Sequence, residues 1–197
     1  MSILQPAGEA EAEGAIAAAY AADRAALGYV PSHTKVLAMN PEAFEGWKTL
    51  QAAIAGSMGM RRYELVTLAA ALGIGSRHCR LAHGNKSLKY FDEQELLRIA
   101  RDYRNAGLDE DEVAMMDFAI KLSTDSASMG EADSRHLRDL GFSDREIVDI
   151  TLAAAARNYL SRILQALAVD IDVPPLLSDD MRDALLEPIE ALRTSAG

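Results

Sequence analysis

Residues 63–85 read YELVTLAAALGIGSRHCRLAHGN, and no other stretch of the sequence is as informative about the fold. Its first half carries alanine and leucine on nearly every side, which predicts a helix buried at the centre of the protein. Glycines at positions 73 and 75 end that helix, and Ser76 is placed to cap the next one. The only cysteine of the chain, Cys79, falls in the first turn of this second helix.

The rest of the chain has the same helical character. Ala, Leu, Glu and Arg dominate, no run alternates Val, Ile or Thr with polar residues, and Gly and Pro recur at helix-length intervals. The sequence therefore predicts an all-α fold. Helices are expected at roughly residues 9–27, 32–39, 41–56, 61–73, 76–90, 93–102, 109–124, 131–139, 143–168 and 178–193.

One segment of the first half has a counterpart in the second half. Residues 63–71 resemble residues 145–153, because in both a glutamate near the start is followed by an apolar run. Ser143 followed by Glu146 also gives the second segment a capping box. The distance between the two copies is far longer than the repeat of a solenoid, so we interpret them as one duplicated helical unit.

The length of 197 residues suits a single domain over residues 1–197. Its core is expected at about residues 15–170. The pair Pro174-Pro175 closes the long penultimate helix, which predicts a linker and a docking tail helix over residues 171–197.

Composition and charge exclude several classes of function. A net charge of −10 disfavours binding to nucleic acid, which requires clustered Lys and Arg. No apolar run approaches the roughly 20 residues that a membrane-spanning helix needs. The first 19 residues contain glutamates and no Lys or Arg, unlike a secretory signal, and a lone cysteine cannot form an internal disulfide. We therefore expect a cytoplasmic protein that binds small molecules or protein partners.

A nucleophile and a base are predicted to be neighbours around Cys79. His83 follows this cysteine by four residues and Ser76 precedes it by three, so the three side chains share one stripe of a helix. The unpaired backbone N–H groups of the first turn favour a thiolate. His83 is the candidate base for the thiol proton, and Glu64 is placed to orient a histidine.

Three basic residues around Cys79 are expected to add positive potential if their side chains point inward: Arg77, His78 and Arg80. His78 lies about 100° around the helix from Cys79, so its part in the site is open. Ser76 is a helix cap first and a candidate catalytic hydroxyl second.

These residues resemble the motif of the alkylhydroperoxidase D and carboxymuconolactone decarboxylase superfamily. That motif is Glu, eleven further residues, Cys, two residues, Cys, three residues, His, with a second His directly before the second Cys. Glu64, His78, Cys79 and His83 match it, while Ser76 stands at the position of the first cysteine. Segments typical of the peroxidase-related branch extend the similarity over about residues 15–170 and are found at residues 28–32, 40–42 and 141–147.

The resemblance implies a homo-oligomeric, all-helical protein with an internal repeat and thiol-dependent hydroperoxidase activity of an antioxidant kind. In relatives with both cysteines, the second is the peroxidatic nucleophile and the first resolves its sulfenic acid. Ser76 cannot form that disulfide. We therefore expect Cys79 to act as a single peroxidatic cysteine that an external thiol recycles.

Two other functions remain open on the same scaffold. One is acid and base chemistry similar to that of the decarboxylase branch, with His83 and Glu64 as the proton-transferring groups. The other is a stress-response or binding role without catalysis.

No cofactor and no metal ion are predicted. Gly73 and Gly75 do not follow a strand, as the glycines of a dinucleotide-binding motif do. The side chains of His78 and Cys79 diverge on a helix, and no fourth metal ligand is evident.

Overall fold

The computed structural model describes the backbone of residues 3–194 and the side chains of residues 3–191. Within this part of the chain every regular element is helical. Two 3-10 turns, Tyr103–Asn105 and Ser126–Ser128, accompany ten α-helices: α1 (Gly14–Leu27), α2 (Ser32–Leu37), α3 (Pro41–Met58), α4 (Met60–Gly73), α5 (Arg77–Ser87), α6 (Glu93–Asp102), α7 (Glu110–Asp125), α8 (Glu131–Asp139), α9 (Asp144–Ala166) and α10 (Asp179–Thr194).

The all-α prediction is confirmed, and most predicted helix boundaries lie close to the observed ones. Caps explain this agreement: Ser143 and Glu146 form the predicted capping box at the start of α9. The first helix is the exception, because it begins at Gly14 and not near residue 9. Glu13 is extended and Gly14 has a φ of +55°, so the backbone turns sharply before it enters the helix.

The centre of the protein is α4, which packs against α5, α7 and α9. Leu65, Leu68 and Ala69 have no exposed surface. A small residue at the end of α4 lets α7 approach closely, because a Cβ added at Gly73 would lie 2.9 Å from the Cβ of Ser123 on α7. The two helices that carry the repeated sequence, α4 and α9, also contact each other in the core.

Helix α5 is fixed on its other side by a buried arginine. Arg80 donates hydrogen bonds to the carbonyl oxygens of Leu185 at 3.1 Å, Leu68 at 3.4 Å and Ala100 at 2.7 Å. These bonds connect α5 to α10, α4 and α6. The position of Cys79 at the start of α5 is thus set by packing on three neighbouring helices.

Helix α10 covers α5 and α6 with a fully buried apolar face that includes Met181, Leu185 and Ile189. The predicted division into a core and a tail remains a prediction, and residues 1–2 and 195–197 lie outside the described residues. No helix in residues 3–194 is both long enough and apolar enough to cross a membrane.

Candidate active site

Cys79 lies in the first turn of α5, as the sequence predicts. Gly75, at a φ of +67°, reverses the chain after α4, and Ser76 caps α5 by accepting a hydrogen bond from the Cys79 N–H at 3.4 Å. Cys79 is 2% exposed, yet it lines a cavity of about 330 Å³. A small molecule in that cavity would therefore reach the sulfur without crossing a layer of side chains.

Two residues of α9 contact the sulfur, and neither is among the site residues that the sequence predicts. The hydroxyl of Ser161 donates to Cys79 Sγ at 3.2 Å, and Nη1 of Arg157 lies 3.7 Å from the same atom. Their spacing of four residues places both on one face of α9. A buried cation in a largely apolar helix is the signal that could have identified Arg157.

Arg157 is a buried cation without a carboxylate partner among the described residues. It is 2% exposed, its Nη2 donates to the Tyr63 hydroxyl at 3.3 Å, and its Nε has no hydrogen-bond partner. Burial lowers the pKa of Arg157, but its electrostatic interactions with the Cys79 sulfur, the Tyr63 hydroxyl and Glu64 raise it, and the net change is upward. The guanidinium is therefore charged and faces the sulfur.

His83 and Glu64 form a buried pair one helical turn from Cys79. Nδ1 of His83 lies 2.7 Å from Oε2 of Glu64, and the two residues are 2% and 0% exposed. Burial raises the pKa of Glu64 to about 7 and holds the pKa of His83 well below its usual value. The imidazole is consequently neutral near pH 7, and when Glu64 is ionised its carboxylate accepts a hydrogen bond from the tautomer of His83 that carries the proton on Nδ1.

The other nitrogen of His83 is available to a reactant. No hydrogen bond to Nε2 exists within residues 3–194, and His83 lines the same cavity as Cys79. With the proton on Nδ1, Nε2 carries the lone pair that accepts a proton. The arrangement is that of a general base oriented by a carboxylate.

His78 lies on the cavity wall but does not join the pair of His83 and Glu64. Its Nε2 is 3.0 Å from the backbone oxygen of Asp170, so the ring contacts the connector between α9 and α10. Ser76 acts as the cap of α5. The structure thus brings Cys79 and His83 to one cavity, with Glu64 behind the histidine.

Arg77 and Arg80 do not point toward the cavity, so the condition for their contribution to the site is not met. Arg77 pairs with Glu190 at 3.1 Å, and Arg80 is bound to three backbone carbonyls. Neither lines the cavity. Arg157, which comes from a distant helix, supplies the positive charge in their place.

The cavity combines an apolar wall with basic side chains. Phe44, Trp47 and Leu160 contribute the apolar part. His33, whose position the sequence could not give, enters the cavity from α2, and burial lowers its pKa to about 4. A metal site is not evident, since the described residues contain no cluster of three or more His, Cys, Asp or Glu side chains that could bind an ion.

No protein-family model matches the chain, and no curated protein matches it in sequence. Several solved structures, in contrast, match its fold. The alkylhydroperoxidase AhpD core of a peroxidase-related protein from Ralstonia eutropha JMP134 superposes with a TM-score of 0.77 at 22% identity and covers 93% of this chain and 96% of that one.

Two further solved structures share the fold. A peroxidase-related protein from Silicibacter sp. TM1040 has a TM-score of 0.71 at 27% identity, with 78% of this chain and 82% of that chain covered. A debrominase, crystallised with 2,3,4-tribromopyrrole, has a TM-score of 0.73 at 16% identity, with 95% and 100% covered.

Proposed function

We propose that this chain is a hydroperoxidase of the alkylhydroperoxidase D-like superfamily with a single catalytic cysteine, as its likeness to the solved structures of that fold supports. The observation that carries the proposal is the environment of Cys79. Its sulfur lines a cavity, contacts Arg157 and Ser161, and lies one turn from a histidine that a buried carboxylate orients.

In the first step the thiol of Cys79 is deprotonated. His83 takes the proton on Nε2, and Glu64 stabilises the imidazolium through the hydrogen bond from Nδ1. The thiolate is stabilised by the guanidinium of Arg157, the hydroxyl of Ser161 and the N–H groups at the start of α5.

In the second step the thiolate attacks the distal oxygen of a hydroperoxide. The sulfur–oxygen bond forms as the oxygen–oxygen bond breaks, and the leaving alkoxide takes the proton from His83 and departs as an alcohol. Cys79 is oxidised by two electrons to the sulfenic acid, and the hydroperoxide is reduced by the same two electrons.

Recycling of the sulfenic acid requires a reductant from outside the chain. Cys79 is the only cysteine, and Ser76 occupies the position of the resolving cysteine, so no internal disulfide can form. One external thiol condenses with the sulfenic acid and releases water. A second thiol then attacks the mixed disulfide, which frees the Cys79 thiol and leaves the two external thiols joined as a disulfide.

A turnover assay tests this function. Purified protein is mixed with cumene hydroperoxide and excess dithiothreitol, and the loss of hydroperoxide is followed above the uncatalysed rate. We expect multiple turnovers that are abolished in Cys79→Ser. A rate equal to that of Cys79→Ser would contradict the proposal.

Acid and base chemistry is the second candidate, because the pair of Glu64 and His83 does not depend on Cys79. Burial raises the pKa of Glu64 to about 7, so the pair can both give and accept a proton near neutral pH. This reaction would persist in Cys79→Ser, which abolishes the hydroperoxidase, and would disappear in Glu64→Gln.

A further inference from the structure

Lys86 is a cation without a partner at the boundary of two cavities. It lies on α5, seven residues after Cys79, and lines both the cavity at the cysteine and a neighbouring cavity of about 490 Å³. Its ammonium group makes no hydrogen bond or ion pair with any described residue. Two turns of helix separate Lys86 from Cys79, so their backbones are roughly 10 Å apart along the helix axis.

Lys86 is half-buried, and its surroundings act on its charge. Burial lowers its pKa and so does nearby Arg157, while Glu64, Cys79 and Asp23 raise it in part. An anionic ligand at the ammonium group would replace the hydration that this position removes. Asn85, its neighbour in sequence, lines both cavities and has a side-chain oxygen without a hydrogen-bond partner.

The cavity at Cys79 has a positive wall in a protein whose net charge is −10. Lys48, Lys86 and Arg157 line it, whereas Asp23 is the one carboxylate among its lining residues in the described chain. Like-signed side chains around a cavity with low-dielectric walls concentrate ligands of the opposite sign. The wall therefore favours an anionic ligand.

The rest of the cavity wall is apolar and indicates which uncharged groups a ligand can carry. Trp47, Phe44, Leu160 and Leu164 offer aromatic and aliphatic surface. A volume of about 330 Å³ matches the lower end of ordinary small-molecule sites. The cavity therefore fits a small, largely apolar molecule that carries an acidic group.

We infer that the substrate is a small organic hydroperoxide with a carboxylate, whose acid group pairs with Lys86 while its peroxide group reaches Cys79. Only the reaction of the peroxide group with Cys79 rests on the proposed hydroperoxidase function. The carboxylate site itself can be tested without any turnover.

Binding is measured with para-isopropylbenzoate and its methyl ester, which differ in charge and cannot react with a thiol. Trp47 is the only tryptophan of the chain and lies on the cavity wall, so its fluorescence reports on occupancy. We expect the acid to bind about tenfold more tightly than the ester, as a charge-assisted contact implies.

Variants of Lys86 decide whether that residue is responsible. Lys86→Gln is expected to weaken binding of the acid about tenfold and to leave binding of the ester unchanged. Lys86→Arg should retain the preference for the acid. Lys121→Gln, which removes a half-buried lysine that pairs with Asp133 away from the cavity, is the matched control and should behave like the wild type.

Kinetics with the matching hydroperoxides complete the test. The acid and methyl ester of para-(2-hydroperoxypropan-2-yl)benzoate are compared, and Lys86→Gln should raise KM for the acid alone. Equal affinity for acid and ester in the wild type, or an unchanged preference in Lys86→Gln, would overturn the inference. If the acid binds through Lys86 and neither hydroperoxide is reduced, the carboxylate site stands and the hydroperoxidase function fails.

Discussion

The hydroxyl oxygen of Ser161 lies 3.2 Å from the sulfur of Cys79, although the two residues belong to distant helices of the chain. Both residues are buried, so helix packing and not a surface contact holds them together. Arg157, one turn earlier on α9, reaches the same sulfur. The candidate nucleophile lies on a helix from the first half of the chain, and the charged group that contacts its sulfur comes from the second half.

Replacement of Arg157 should slow the reaction of the thiol. In Arg157→Met the sulfur loses a charge-assisted contact worth about 1.5–3 kcal/mol, and we expect alkylation of Cys79 by iodoacetamide at pH 7 to slow about tenfold or more. Arg162→Met removes an exposed arginine from the same helix and serves as the control. Equal alkylation rates in the two variants would show that Arg157 does not stabilise the thiolate.

Activity should depend on pH through Glu64. Its pKa is raised to about 7 by burial, so the carboxylate that orients His83 is lost as the pH falls below 7. The rate of hydroperoxide reduction is therefore expected to rise through about pH 7. In Glu64→Gln this rise of the rate with pH should disappear, and the rate above pH 7 should be lower. If the rise persists unchanged in Glu64→Gln, it is due to the titration of another group.

Stability at acid pH should depend on His33. Its pKa of about 4 in the folded protein lies below the ordinary value of 6.5, so only the unfolded chain gains this proton between those values. Stability is expected to fall as the pH decreases from 6.5 to 4, and to fall less in His33→Asn. Urea unfolding across this range measures the difference, with exposed His136→Asn as the control. Identical pH profiles for the two variants would contradict this assignment.

Close packing of α5 on α10 gives a prediction about stability alone. A Cβ at Gly84 would overlap the buried side chain of Leu185, so Gly84→Ala should destabilise the fold by about 1–3 kcal/mol. Gly46 on α3 has open space around it, and Gly46→Ala should stabilise by about 0.5–1 kcal/mol. Thermal unfolding of both variants checks this, and a stable Gly84→Ala would mean that the two helices separate easily.

The sequence predicts those parts of the site that depend on one helix or on neighbouring helices. Cys79 and His83 are four residues apart, so helix geometry alone places them on one stripe. Ser76 is recognisable as a helix cap because serine is a common capping residue and it directly precedes α5. Glu64 reaches His83 because α4 and α5 pack side by side after a short turn, and the family motif already contains that relation.

The remaining parts depend on contacts between segments distant in sequence. Arg157 and Ser161 contact the sulfur because α9 packs against α5. No local pattern in the sequence predicts this packing. Arg80 is the reverse case. Its charge and its closeness to Cys79 in the sequence suggested added positive potential at the sulfur, but its side chain binds backbone carbonyls of other helices.

The oxidation state of Cys79 after a single exposure to hydroperoxide is the sharpest test of the proposed chemistry. Protein is mixed with one equivalent of cumene hydroperoxide without reductant, dimedone traps any sulfenic acid, and mass spectrometry locates and quantifies the adduct over time. We expect rapid adduct formation at Cys79 and markedly slower formation in His83→Asn. No adduct at Cys79 would rule out its role as nucleophile, and an equal rate in His83→Asn would rule out His83 as its base.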